Sequence, residues 1–552
     1  MMKMKILATA ALCAALVMLP AAADTSLPRL GAEHGATQLL VDGKPFLMRG
    51  AELENSSASS RTFMKDVWPK LAAMHVNTVL SPAYWELIEP TEGRFDFSSI
   101  DGVIDDARAH KMHIVFLWFG SWKNSMSSYA PGWVKRNIKR FPRAEKSDSS
   151  SLEILSPLSA ENLAADKNAF VALMRHLKEN DGEHTVVMVQ VENEIGMIPE
   201  ARDHSTAAEA AFKAPVPAAL TDYLSKHKDS LMPVLRAAWA AHGDKVGASW
   251  EETFGAGLAT DEIFNAWVQA LYTEKVAAAG KAVYLLPMYV NAALMRPGRV
   301  PGQYPSGGPL PWLFDIWHAA APSIDMLSPD LYTPNFTEWT LRYLRPDNPY
   351  FIPEMGRRPA AEMGANALWS YAKLNAMGVS PYAPEFLPED ERKVMAEAFG
   401  VVEQLSPQIL AAQGTDRIAG VNVPISYDGV SDLTAQNFAF GRYIFDVHFK
   451  APPPISIGQN KEVPLPGAHG GFIIQTGPDE FLIAGTGMYL YLGTTGIDDP
   501  IAGIETADEG QFVNGRWVPG RRLNGDETNQ GRYLFVPSGK FSIMRVKLYH
   551  YK

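Results

Sequence analysis

Apolar runs of strand length alternate along the chain with stretches of helical spacing. Lys44–Gly50, Val76–Ser81 and Met112–Phe119 read as strands, with helical patterns at Thr62–His75 and Ser99–His110 between them. A helical pattern at Ala164–Asn180 leads into Val186–Gly196, VVMVQVENEIG, whose opening valines mark a strand buried on both faces. Ala218–His242 and Asp261–Ala279 are helical. Four further runs follow as strands: Ala282–Asn291, Asp325–Tyr332, Tyr350–Gly356 and Val379–Tyr382. Helices near Trp312–Ala320, Thr337–Leu344 and Asn366–Met377 separate them, and Glu389–Ala412 closes the series. Eight strands with helices between them predict an α/β fold, a (β/α)8 barrel over residues 24–413.

From about Gly414 the texture changes. Short alternating runs at Tyr443–Phe449, Gly471–Gln475, Phe481–Ile483, Met488–Leu492, Gly510–Val518, Gly531–Val536 and Phe541–Tyr551 are punctuated by Gly, Pro, Asp and Asn. They predict an antiparallel β-sandwich domain over residues 414–552.

At the other end, Lys3 and Lys5 precede a short apolar run that ends in Ala21-Ala22-Ala23. This reads as a secretory signal peptide over residues 1–23, too short to span a membrane. The expected location is therefore periplasmic or extracellular, with no membrane insertion of the mature chain. The one cysteine, Cys13, lies in that segment, so the mature chain would have no disulfide, thiol nucleophile or Cys-bound metal. A net charge of −11 and the lack of a Lys/Arg run argue against a nucleic-acid partner.

A barrel carries its chemistry at the C-terminal ends of its strands. The fourth strand ends in Glu192, Asn193 and Glu194, and period 2 places Gln190, Glu192 and Glu194 on one face. The seventh carries Glu354 among Phe351, Ile352, Pro353 and Met355. Two carboxyl groups facing across a pocket can cleave a glycosidic bond, one as acid and one as nucleophile. Tyr84, Trp85, Trp118, Trp122, Tyr289 and Tyr332 fall near strand ends, where rings can pack on the apolar faces of sugars. Asn193 and Asn124 are candidate hydroxyl ligands. Asp498, Asp499, Glu505 and Asp508 form an acidic patch more often solvated than metal-bound, and no cofactor is expected.

The segments YWELIEP (Tyr84–Pro90), GRFDF (Gly93–Phe97), QVENEIG (Gln190–Gly196) and YFIPEMG (Tyr350–Gly356) resemble glycoside hydrolase family 35, the β-galactosidases. The C-terminal part is similar to the β-sandwich of a bacterial branch of that family. The resemblance implies a retaining exo-β-galactosidase with Glu194 as acid/base and Glu354 as nucleophile. It further implies that Asn193 binds the sugar 2-hydroxyl, that Tyr332 orients the nucleophile, and that Tyr84 and Tyr289 lie near the galactose pocket. The implied substrate is an oligosaccharide with terminal β-galactose, such as a xyloglucan side chain. The loop after the third strand departs from the family. Phe119–Asn124 has no acid where many members hold the sugar hydroxyls with one, leaving Trp122 or Asn124 to substitute.

Overall fold

The computed structural model describes residues 27–356, 358–452, 462–496 and 500–552. The expected signal peptide and Cys13, together with Asp498 and Asp499, lie outside them.

The eight expected strands close into one parallel barrel, each paired with its neighbours in chain order. They are β1 (Met48–Glu52), β2 (Thr78–Tyr84), β3 (His113–Lys123), β4 (Val186–Asn193), β5 (Met288–Ala293), β6 (Met326–Leu331), β7 (Ile352–Met355) and β8 (Gly378–Pro381). Six of them are buried at every position, and in the other two only a terminal residue, His113 or Ala293, is partly exposed. This burial on both faces explains their continuous hydrophobic runs.

Helices α1 (Ser98–Ala109), α2 (Ala160–Asn180), α3 (Leu258–Val283), α4 (Ala360–Lys373) and α5 (Glu389–Ala412) form most of the outer layer. Ser159 caps α2 by accepting from the Asn162 amide at 3.2 Å. The α2–α3 contact is close because Gly280 has no side chain. A Cβ there would meet Phe170 Cε1 at 2.3 Å.

Several expected boundaries are corrected. Lys44–Phe46 closes a three-stranded antiparallel sheet with Arg29–Glu33 and Ala36–Val41, and the barrel strand begins only at Met48. Helical chain continues to Val283, so β5 starts six residues later than its apolar run. The pattern Thr62–His75 divides into Arg61–Met64 and Trp68–Ala73. Ala218–His242 divides into Ala218–Lys226 and Pro233–Ala241. Pro233, which lacks the N–H a continuing helix needs, opens the second of these.

The C-terminal part is a sandwich of a six-stranded and a four-stranded antiparallel sheet. Gly510–Val518, expected as one strand, is a hairpin. Ile501–Val513 turns at Asn514 and Gly515, both at positive φ, into Arg516–Arg522. One face of the larger sheet packs on the smaller through Val421, Ile473, Phe481 and Val546. The other packs on the barrel's helices through Phe472, Ile474, Leu482 and Phe541. Phe541 lies so close to α4 that a Cβ on Gly364 would meet its ring at 2.7 Å. Asn422 donates to Asn366 on α4 at 2.8 Å, and the Phe512 amide donates to Gln404 on α5 at 2.8 Å. The sandwich thus buttresses the side of the barrel formed by α4 and α5.

Candidate active site

Two backbone irregularities build the site. At the end of β4 and just past it, Glu192 and Glu194 both adopt positive φ, 62° and 45°. Side chains normally resist that conformation, and its presence here marks a strand end held by its surroundings. The β3–β4 register also slips between Trp118 and Lys123. Strict alternation is therefore lost, and the expectation that Gln190, Glu192 and Glu194 share a face fails. Glu192 turns behind the wall to accept from the Trp122 amide at 2.7 Å and to sit against Asp166 of α2. Glu194 turns into the barrel mouth. In β7 the register shifts between Ile352 and Met355, and Glu354 lies within that irregularity.

Inside the mouth, Glu194, Glu354 and Asp330 of β6 bring carboxylate oxygens within 4.8 Å of one another. A hydrogen-bonded frame holds them. Asn291 of β5 accepts from the Glu194 amide at 2.9 Å. Its Nδ2 donates to Asp330 Oδ2 at 2.8 Å and to Glu354 Oε1 at 3.1 Å. Asn193 Nδ2 reaches the same Glu354 oxygen at 3.3 Å. Tyr332 donates its hydroxyl to Glu354 Oε2 at 2.5 Å. Three donors on Glu354 fix its carboxyl group in one orientation.

Glu194 differs. Burial, and secondarily the charge of Glu354, push its carboxyl up to about 7. Burial and Glu354 likewise hold Asp330, and Glu52 at the end of β1, well above the usual carboxylate range. Lys123 is the compensating cation. Burial works against its charge, yet Glu354, Glu194, Glu52 and Asp330 together hold it above its ordinary value. Glu194, Asp330 and Glu354 are the described residues able to hold a metal ion. Lys123 is the cation that faces all three.

The expected site residues are not all brought together. Glu194, Glu354, Asn193 and Tyr332 converge. Tyr289 is fully buried in the barrel and feels the charges of Glu52, Asp330 and Glu354. Its hydroxyl has no protein partner. Tyr84 is a wall residue: its hydroxyl donates to the Asn55 carbonyl at 2.7 Å and its ring meets Tyr129 and Phe119. Trp122 is also corrected. It is fully buried, 4.5 Å from the Tyr272 ring, with Nε1 donating to the Leu155 carbonyl at 3.2 Å. Asn124 is exposed and, with Ser125, forms a two-residue turn at positive φ closed by paired Lys123–Met126 backbone hydrogen bonds. Neither Trp122 nor Asn124 replaces the missing acid. In the C-terminal patch, Glu505 pairs with Lys547 and Asp508 with Arg522, so these two acids are engaged as ion pairs.

Sequence reading missed Glu52, Lys123, Asn291 and Asp330. Each is a polar residue at or near the end of a barrel strand, which was the available signal.

The β-galactosidase profile of glycoside hydrolase family 42 matches residues 57–246, and a domain of unknown function, DUF5597, matches residues 395–535. The matching profile is that of family 42, and it does not support the family 35 resemblance drawn from the motifs. A β-galactosidase of Xanthomonas manihotis is 30% identical over 202 residues, covering 35% of this chain. The chain spans 30% of the length of that curated relative. Among solved structures, a catalytic mutant of a family 42 β-galactosidase from G. stearothermophilus aligns over 91% of this chain and 98% of its own, with 10% identity and a TM-score of 0.49. A β-galactosidase from the psychrophilic Marinomonas ef1 covers 66% of this chain and 60% of its own, at 12% identity and a TM-score of 0.45.

Proposed function

We propose that the protein is a retaining β-galactosidase that removes terminal galactosyl residues from oligosaccharides by double displacement. The observation that carries this reading is the Glu194–Glu354 pair. Its oxygens approach within 4.8 Å, in keeping with the roughly 5–5.5 Å carboxyl separation of retaining enzymes and short of the wider gap that admits a water. Glu354, fixed by Tyr332, Asn291 and Asn193, attacks the anomeric carbon. Glu194, held protonated near neutrality, gives its proton to the leaving oxygen. It then takes one from the water that releases the sugar. Asn193 keeps its Oδ1 buried without a protein partner, beside the nucleophile, where it can accept from the sugar 2-hydroxyl.

Glu194 and Glu354 are only 7% and 2% exposed, which suits a deep pocket for one terminal sugar better than an open cleft. The β-galactosidase profile match and the relative from Xanthomonas manihotis support galactose as that sugar. The N-terminal segment supports export, and with it extracellular or periplasmic substrates such as plant cell-wall oligosaccharides, among them xyloglucan side chains.

The test is turnover of nitrophenyl glycosides by the chain lacking residues 1–23. Hydrolysis of the β-galactoside at least about 100-fold faster than the β-glucoside is expected, because a site built to bond a hydroxyl rejects the wrong epimer. Comparable rates would remove the galactose assignment. Absence of turnover on every glycoside would remove the enzyme.

A further inference from the structure

Glu52 is the least explained group in the mouth. It closes β1, is fully buried, and its carboxyl has no amide, hydroxyl or ammonium partner in the protein, only the neighbouring Glu354 carboxyl. Its backbone is fixed, since its carbonyl accepts from Ala383 at 2.7 Å and it bridges Tyr382. Alternation along β1 aims its side chain inward. Two residues before it, a Cβ on Gly50 would meet Ser380 Oγ at 2.0 Å. Two before that, Met48 packs against Gly378 and Phe351, on whose ring Tyr289 sits edge-on at 5.2 Å inside the barrel.

A buried carboxyl whose one partner is another acid destabilises a fold, and an apolar side chain of similar volume would be more stable there. The neighbours show a purpose. Glu52 feels Glu354, Lys123 and Glu194, so it belongs to the same cluster. Lys123 is 6% exposed, lies 5.2 Å over the Phe119 ring, and faces all four acids. Asp330 Oδ1 and the Tyr289 hydroxyl also have no protein partner. Unpaired donors and acceptors therefore sit together, beside the two reacting carboxylates, at the depth where one sugar ring would rest.

We propose that Glu52 and Lys123 form the subsite that reads the ring hydroxyls of the terminal sugar, Glu52 from the end of β1 and Lys123 from the end of β3. This rests on the glycosidase reading above and gives that site its specificity-determining residues. A hydroxyl can donate to one group and accept from the other, so a carboxyl and an ammonium that face the same pocket without forming an ion pair select a position that carries one. An epimer that points its hydroxyl away would leave both groups buried and unmatched.

The experiment compares wild type with Glu52→Leu and Lys123→Met on nitrophenyl β-galactoside and on its 3-, 4- and 6-deoxy analogues, with thermal unfolding of each protein. For Glu52→Leu we expect an unchanged or raised Tm, because a buried carboxyl set against another acid is removed, and kcat/KM on the full galactoside about 100-fold lower. On one deoxy analogue the deficit should shrink to within about threefold, since the hydroxyl that Glu52 binds is already missing. Lys123→Met should show its smallest deficit on the same analogue or on one at a neighbouring carbon. A purely structural Glu52 would give equal deficits on every substrate with a lowered Tm, and that pattern overturns the proposal, as does full activity of Glu52→Leu. If Glu52→Leu does not fold, the isosteric Glu52→Gln takes its place: a deficit that shrinks on one analogue supports the subsite, and equal deficits or full activity overturn it. Failure of the wild type on every aryl glycoside would instead remove the glycosidase reading and this subsite with it.

Discussion

Tyr332 donates its hydroxyl to Glu354 Oε2 at 2.5 Å, across the ends of β6 and β7. Glu354 and the charges of Glu52 and Asp330 act on a phenol already raised by burial, so this hydroxyl stays protonated and remains a donor at every working pH. It fixes the direction from which Glu354 can attack.

Removing that donor should slow the chemistry more than it weakens binding. A hydrogen bond to a charged group is worth about 1.5–3 kcal/mol, so Tyr332→Phe should lose about 10- to 100-fold in kcat/KM. Most of the loss should fall in kcat. Steady-state kinetics on an aryl galactoside checks this, and a change confined to KM would place Tyr332 in binding only.

Burial and Glu354 hold the Glu194 carboxyl at about 7. The acid form is the one that protonates the leaving group, so kcat/KM should fall as pH rises through about 7. The same shift has a sign for stability. Between about 4.5 and 7 the folded chain retains a proton that the unfolded chain has lost, so the native state loses stability as pH rises through that window. Glu194→Gln should flatten both profiles: activity on a substrate with a good leaving group loses its alkaline limb, and Tm falls less as pH rises from mildly acidic to mildly alkaline. An unchanged alkaline limb in Glu194→Gln would assign the titration to another group.

Trp122 is a structural residue. It is fully buried against Tyr272 and donates to the Leu155 carbonyl. Trp122→Ala should cost about 3–5 kcal/mol of stability by leaving a cavity. Chemical denaturation measures the cost. Trp122→Phe, which keeps most of the ring, should leave the galactoside-to-glucoside ratio unchanged; a large shift in that ratio would return Trp122 to the pocket.

The barrel was legible because its strands are buried on both faces and therefore spell continuous apolar runs, as in MHIVFLWF at Met112–Phe119. Glu194 and Glu354 were legible as acids that interrupt such runs. What stayed hidden depends on conformation and long-range pairing. The positive φ at Glu192 sends it behind the wall, which alternation cannot foresee. Asn291 matters because it touches Glu194, Asp330 and Glu354, residues 97, 39 and 63 positions away. Trp122 and Asn124 were placed in the pocket by proximity in sequence, yet the tight turn at Asn124–Ser125 exposes one, and the aromatic wall takes the other. Lys123 between them is the residue whose charge faces the site.

The central claim is that Glu354 forms a glycosyl ester during turnover. Incubation with an activated aryl 2-deoxy-2-fluoro-β-galactoside, followed by proteolysis and peptide mass spectrometry, tests it directly. The predicted result is one fluorogalactosyl adduct per chain, on Glu354, released by added water or acceptor sugar as activity returns. An adduct on Glu194, Asp330 or Glu52, or steady hydrolysis of the parent galactoside with no adduct trapped and α-galactose as first product, would contradict it.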